Sequence, residues 1–199
     1  MSGSPAETKS ALRRRMRAQR PPRTAEERGR LSALVCERLS EQVVWSRAGS
    51  VLFYFALADE LDLSALVEDA LKAGKTVALP RYDPERDLYL AAAILDPARD
   101  CRGGRFGIRE PGADCAILPL NQLDLVLVPG VAFDRCGYRL GRGKGFYDRL
   151  LEPVRGIKCG VAWDHQVDLA FPVEPHDVPM DCIVTPAIWR SFGTGPVLR

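Results

Sequence analysis

The chain has 199 residues, of which 46% are hydrophobic and 27% charged, and its formal net charge is +2. That length suits one compact domain spanning 1–199, and so small a charge excludes a general nucleic-acid binder, whose cations would dominate the balance. No apolar run is long enough to cross a bilayer and no signal-peptide core opens the chain, so a soluble, cytoplasmic protein without a membrane partner is expected.

The first element in chain order is a basic helix within residues 1–20, carrying Lys9, Arg13, Arg14, Arg15 and Arg17 and stopped by Pro21-Pro22. Lys9 and Arg13 are four residues apart and share a helix face, where together they can grip a triphosphate. The same segment also reads as a solvated cationic face, a basic arm for nucleic acid, or a transit peptide, since Glu7 is its sole acidic residue. A second helix opens on the capping box Thr24-Ala25-Glu26-Glu27 and turns Leu31, Leu34, Val35 and Leu39 toward the core.

Val51 to Phe55 reads as a strand, followed by a loop through Glu60 and then a helix with Asp62 as its N-cap and Gly74 as its terminator. Phe55 at the strand end and Glu60 just beyond it are placed for ligand contact, although a solvent-facing glutamate fits that loop as well. Thr76 to Leu79 is the next strand and closes at Pro80-Arg81. Leu123 to Val128 is a short apolar run bounded by Pro129-Gly130, the pattern of a buried parallel strand. A helix can start at Phe146 and run to Leu151, and strands are expected at 157–163 and 182–184. This alternation predicts an α/β fold with helices on both faces of the sheet.

The six cysteines are scattered, without a Cys-x-x-Cys pair, and there are only two histidines. Neither a disulfide framework nor a zinc site follows, and reduced, mostly buried thiols are expected. Asp177 and Asp181 are within reach of a metal or of a cationic loop, or else are solvated turn carboxylates.

The densest chemistry lies at 139–149, where Arg139-Leu140-Gly141-Arg142-Gly143-Lys144-Gly145-Phe146-Tyr147-Asp148-Arg149 combines three glycines, four cations and one carboxylate. Glycines let the backbone turn N–H groups inward and the cations add charge, which suits polyphosphate. Asp148 is the carboxylate able to hold Mg²⁺ against phosphate oxygens. The loop is not a P-loop, because Lys144 is followed by Gly145 and not by a hydroxyl residue, and Phe146 stands where a dinucleotide fingerprint needs its third glycine. A glycine-rich turn with solvated arginines is the other reading. Lying after a strand and before a helix, the loop sits where open α/β sheets bind anions and nucleotides.

Taken in order, Lys9-x-x-x-Arg13, Glu60-Leu61-Asp62, Pro80-Arg81-Tyr82, Gly107-Ile108-x-Glu110-Pro111, Pro129-Gly130-x-x-Phe133-Asp134, the glycine loop and His176-Asp177-x-x-x-Asp181 resemble the 5-formyltetrahydrofolate cyclo-ligase, or methenyltetrahydrofolate synthetase, family over nearly the whole chain. The resemblance implies a three-layer α/β/α domain with a mostly parallel sheet, similar to that of sugar-phosphate isomerases and CoA-transferases. It implies ATP-dependent closure of 5-formyltetrahydrofolate to 5,10-methenyltetrahydrofolate by a monomer, with MgATP as co-substrate and Mg²⁺ as cofactor. On that resemblance Lys9, Ser10, Ala11, Leu12 and Arg13 hold ATP together with Arg139, Leu140, Gly141, Arg142, Gly143, Lys144, Gly145, Phe146 and Tyr147. Phe55, Glu60 and the stretch from Arg142 through Gly143, Lys144 and Gly145 to Phe146 contact the folate. Lys144, Arg142 and Tyr147 carry the catalysis, and Asp148 and Asp181 bind the metal. The chain departs from the family at Leu63, where a small or hydroxyl residue is common, and at Phe146, where many members have tyrosine. A non-catalytic folate- or nucleic-acid-binding relative, or an isomerase or acyl-transfer enzyme of similar architecture, are the alternatives.

Overall fold

The computed structural model describes residues 8–21, 23–104 and 107–193. Residues 1–7 of the expected basic segment, and Pro22 of its proline stop, lie outside the described residues. In chain order the helices and strands are α1 (Lys9–Ala18), α2 (Ala25–Ser40), α3 (Val43–Arg47), β1 (Ser50–Leu52), α4 (Ser64–Lys72), β2 (Thr76–Asp83), β3 (Leu88–Ile94), α5 (Pro97–Asp100), β4 (Cys101–Gly103), β5 (Arg109–Pro111), β6 (Ile117–Leu118), β7 (Leu125–Pro129), β8 (Ala132–Phe133), β9 (Arg139–Leu140), α6 (Phe146–Leu151), β10 (Ile157–Val161), β11 (Cys182–Val184) and β12 (Trp189–Ser191).

The main sheet runs β12-β11-β10-β7-β1-β2-β3-β6. Its five central strands, β11 to β2, are parallel, while β12, β3 and β6 add antiparallel edges. Numbered among themselves, the parallel strands follow the order 2-1-3-4-5, so the chain reverses its direction of travel between β1 and β7. Strand periodicity sorts the core into two layers. Val51, Leu125 and Leu127 face the side packed by α2, α3 and α4 through Val35, Leu39, Trp45, Leu66 and Ala70. Leu52, Val126 and Val128 face the other side, packed by Leu150 and Leu151 of α6. A third, smaller cluster places Leu12 and Met16 of α1 against Ala132, Leu140 and Phe171.

Local rules explain most boundaries. Thr24 caps α2, its hydroxyl accepting the Glu27 N–H at 3.1 Å, and Gly74 follows α4 in the left-handed region at φ 73°. Asp62 is not the N-cap of α4, because Leu63 holds that position. The Asp62 carboxylate still accepts the Ser64 N–H at 2.9 Å from one residue further out. The first strand is shorter than expected, ending at Leu52, although the Phe53 N–H continues the ladder to the Ala78 carbonyl at 2.9 Å. Among the described residues no helix is long and apolar enough to cross a membrane.

Candidate active site

Ligands of open α/β sheets bind beyond the carboxyl ends of the strands where the order reverses. Here that place lies between the ends of β1, which lead to Tyr54 and Phe55, and of β7, which lead to Pro129 and Gly130. A cleft of about 620 Å³ opens there, within the size range of small-molecule sites. Phe55, Glu60 and Tyr89 stand on one side, the loop 139–148 crosses the middle, and Lys9, Arg13 and Asp177 close the other side. The loop bends through Gly143 at φ 100° and Gly145 at φ 65°, backbone values that glycine adopts without a Cβ clash.

Four cations of the cleft, Lys9, Arg13, Arg139 and Arg142, are each matched to an oxygen. Lys9 Nζ lies 2.7 Å from a Glu174 oxygen and 2.6 Å from Asp177, while Arg13 donates through Nε to the Gly141 carbonyl at 2.8 Å. The Arg13 bond ties α1 to the glycine loop, and the two Lys9 pairs tie it to the segment carrying Glu174 and Asp177. Arg142 reaches Glu60 at 2.8 Å and Asp59 at 3.2 Å, and Arg20 also pairs with Asp59. Desolvation favours the neutral form of Arg142, but the hydrogen bonds and charges of Glu60 and Asp59 together outweigh it and the guanidinium pKa is raised. Arg139 is buried, bonded through Nη2 to Asp148 at 2.8 Å and stacked over the Tyr147 ring at 5.3 Å. Burial, reinforced by the Glu60 charge, raises the Tyr147 phenol well above its ordinary value, leaving it a proton donor and not a base near neutrality. Phe146 meets Tyr82 and Tyr89 edge-on at 5.9 and 5.3 Å, so at this position an aromatic wall stands without a phenol.

The structure thus brings Lys9, Arg13, Phe55, Glu60 and the whole loop from Arg139 to Asp148 to one cleft. Ser10, Ala11 and Leu12 do not line it. Leu12 is fully buried behind α1, the Ser10 hydroxyl pairs with Thr8, and the Ala11 N–H caps on Thr8 Oγ1. Helix geometry is the reason: only residues spaced by four share the cleft face. That spacing extends to Arg17, which does line the cleft and was legible as the next i+4 cation. Asp181 is likewise not brought to the site. It precedes β11, at the amino ends of the strands, where its carboxylate accepts the Lys158 N–H at 2.7 Å and pairs with Lys158 Nζ at 3.0 Å. Expectation overlooked Tyr89, on an unrecognised antiparallel strand, and Glu174, hidden in a proline-rich segment.

Fold and cleft together define a doubly wound α/β protein with a cation-lined small-molecule site at its topological switch point. Residues 5–186 match the 5-formyltetrahydrofolate cyclo-ligase family, and the chain belongs to that family. It is 38% identical over 148 residues to the 5-formyltetrahydrofolate cyclo-ligase of Escherichia coli strain K12, covering 72% of this chain and 81% of that one. The mouse 5-formyltetrahydrofolate cyclo-ligase is 28% identical over 185 residues, covering 87% and 89%. Among solved structures, the 5,10-methenyltetrahydrofolate synthetase of Aquifex aeolicus superposes with a TM-score of 0.83 at 36% identity, covering 96% of both chains.

Proposed function

We propose that this protein closes 5-formyltetrahydrofolate to 5,10-methenyltetrahydrofolate at the expense of ATP, releasing ADP and phosphate. The observation that carries the assignment is the position of the glycine loop. It lies between the α1 cations Lys9 and Arg13 on one side and Phe55 and Glu60 on the other, within a single cleft. One loop can therefore face two substrates at once. On this reading the protein acts as a monomer on folate and MgATP in the cytoplasm, with no nucleic acid involved.

An N-formyl group is a poor electrophile because the nitrogen lone pair is shared with its carbonyl. The formyl oxygen attacks the γ-phosphorus and ADP leaves. The N10 lone pair then adds to the formyl carbon, the carbon–oxygen bond breaks with departure of phosphate, and the N10 proton is released. Little covalent work falls to the protein, so positioning and charge stabilisation dominate. On this reading Lys9 and Arg13 hold the triphosphate from α1, and Arg139, Arg142 and Lys144 hold it from the loop. Lys144 and Arg142 stabilise charge on the phosphoryl in transit, and Tyr147 donates a hydrogen bond from its protonated phenol. Phe55 and Phe146 give the folate apolar surfaces.

Magnesium typically takes one or two protein carboxylates alongside substrate phosphates and water. Asp148 fits that need, being the carboxylate of the loop itself and lining the cleft. Glu174, His176 and Asp177 also converge within 4.8 Å; Lys9 pairs with those two acids as Arg139 pairs with Asp148, and it is the place of Asp148 in the loop itself that favours it. Mg²⁺, when bound with ATP, would neutralise charge on the phosphates, with Asp148 as its protein ligand.

The test is to mix protein, MgATP and 5-formyltetrahydrofolate and follow the near-ultraviolet absorption of the methenyl product. ATP-dependent growth of that absorption is expected, and its absence overturns the assignment.

A further inference from the structure

The geometry points to Glu110 as the carboxylate that recognises the N–H donors of the folate ring system, an inference that rests on the cyclo-ligase assignment above. Glu110 belongs to the short strand β5 and forms part of the cleft wall near Phe55 and Tyr89. Its two oxygens are unequal. Oε2 accepts the Tyr82 N–H at 3.0 Å, which fixes the side chain against β2. Oε1 is shielded from water and has no hydrogen-bond partner among the described residues. A carboxylate oxygen so placed costs free energy until it finds a donor.

Among the described residues, no ion pair to Glu110 is formed, and two nearby arginines are engaged elsewhere. Arg109, next in sequence, gives its guanidinium to the carbonyls of Pro97 at 2.7 Å and Cys101 at 3.1 Å. Arg81 gives its own to Gly112 at 2.8 Å and Cys115 at 3.3 Å. The position is also built for this side chain. A Cβ added at Gly104 would fall 2.6 to 2.8 Å from the Cβ, Cγ and carboxyl carbon of Glu110, so a glycine there leaves the room Glu110 needs.

Glu60, the other carboxylate on the folate side, is already engaged at both oxygens: Oε1 by Arg142 at 2.8 Å and Oε2 by the Leu57 N–H at 3.0 Å. The reduced pteridine of 5-formyltetrahydrofolate carries an exocyclic amine and ring N–H groups, donors that complement an acceptor-only carboxylate. Glu110 Oε1 is the acceptor left open for them. Glu60 then sets Arg142 in place, and Glu110 reads the ring.

Glu110→Gln separates recognition from structure. Its amide carbonyl retains the Tyr82 N–H bond, while the amide NH₂ replaces Oε1 and turns an acceptor into a donor facing other donors. The expected result is a rise of at least tenfold in KM for 5-formyltetrahydrofolate, with KM for ATP within twofold of the parent and an unliganded melting temperature that does not fall. Glu110→Ala should show the same split in KM, with some loss of melting temperature from the orphaned Tyr82 N–H. Folate KM within twofold of the parent in the Gln variant overturns the inference, and so does an ATP KM that rises in step. Should the parent protein form no methenyl product, the functional assignment has failed and not this one. Equilibrium binding of 5-formyltetrahydrofolate to the parent and to Glu110→Gln then decides, equal affinities counting against Glu110.

Discussion

Replacing Asp148 with alanine removes the counter-ion of a buried arginine. The Arg139 side chain is 4% exposed and Asp148 20%, with 2.8 Å between the charged atoms. Arg139 Nε has no acceptor among the described residues, so once Asp148 is gone the guanidinium keeps little compensation beyond the Tyr147 ring. Breaking a buried pair by deleting one partner costs about 3–5 kcal/mol, and the partial exposure of Asp148 puts this case near the lower end. For a chain of this size about 3 kcal/mol corresponds to a fall in melting temperature of roughly 6–12 °C. Calorimetry on the parent, Asp148→Ala, Arg139→Met and the double variant closes a cycle, and the double variant should recover much of the loss because no buried charge remains. MgATP should raise the melting temperature of Asp148→Ala, since bound phosphate gives Arg139 a new anionic partner. An Asp148→Ala midpoint within about 2 °C of the parent, or strict additivity in the cycle, refutes the reasoning.

Lys144→Ala should lower kcat by about 100-fold or more while leaving the melting temperature unchanged, as expected of a charge used in the transition state, and near-normal turnover would remove it from that role. Glu60→Ala, which frees Arg142, should raise KM for folate more than KM for ATP, and the reverse order would show that the two sides of the cleft are misassigned. Asp181→Ala should cost about 1.5–3 kcal/mol through the lost bonds to Lys158, with the Mg²⁺ dependence of turnover unmoved. A higher Mg²⁺ requirement would restore Asp181 as a ligand. The docking of α1 should depend on pH through Lys9, Glu174 and Asp177. Burial pushes Asp177 up, but the Lys9 hydrogen bond and the Glu174 N–H outweigh it, and Asp177 and Glu174 both end below their ordinary values. Groups with depressed pKa stabilise above about pH 4 and lose that contribution as pH falls through their folded values. The gap in melting temperature between the parent and Lys9→Met should therefore be full at pH 7 and shrink as pH falls below about 4, and a gap unchanged by acidification would count against this pairing.

The sequence made the parallel core and the loop visible because both rest on local rules. A run such as Leu125-Val126-Leu127-Val128 can be buried on both faces only inside a covered sheet, and α6 begins at Phe146 as the residue after the left-handed Gly145. The antiparallel strand β3 escaped notice because Leu88 to Ile94 includes three alanines, which are weak strand formers, and its pairing with β2 is a tertiary fact. Lys9 and Arg13 were readable from helix spacing, whereas a contiguous block from 9 to 13 could not all face one cleft. Asp181 failed for a different reason. Sequence order puts Asp181 at the amino end of its strand, but on which edge of the sheet that end lies is known only from the strand's direction, and β11 runs parallel to β10.

A net charge of +2 coexists with a cation-rich cleft, and the pairing within the cleft shows how. Four cations that would meet phosphate are stored on an acid or a carbonyl: Lys9 on Glu174 and Asp177, Arg142 on Glu60 and Asp59, Arg139 on Asp148, and Arg13 on the Gly141 carbonyl. These contacts hold long side chains in fixed directions, so less rotamer entropy is lost when ligand arrives. On the cyclo-ligase assignment, ATP binding is then an exchange of partners in which phosphate oxygens replace carboxylates. The released acids differ in what they can do next. On that assignment Asp148 would stay beside the loop to offer an oxygen to the metal that arrives with ATP, whereas Glu174 and Asp177, at the α1 edge of the cleft, would be free to rehydrate. Glu110 takes no part in that exchange, because the described residues give it no cation to surrender. On the inference above, its unpartnered oxygen would respond to folate and not to ATP, so the two substrates should be separable by single substitutions on opposite sides of one loop.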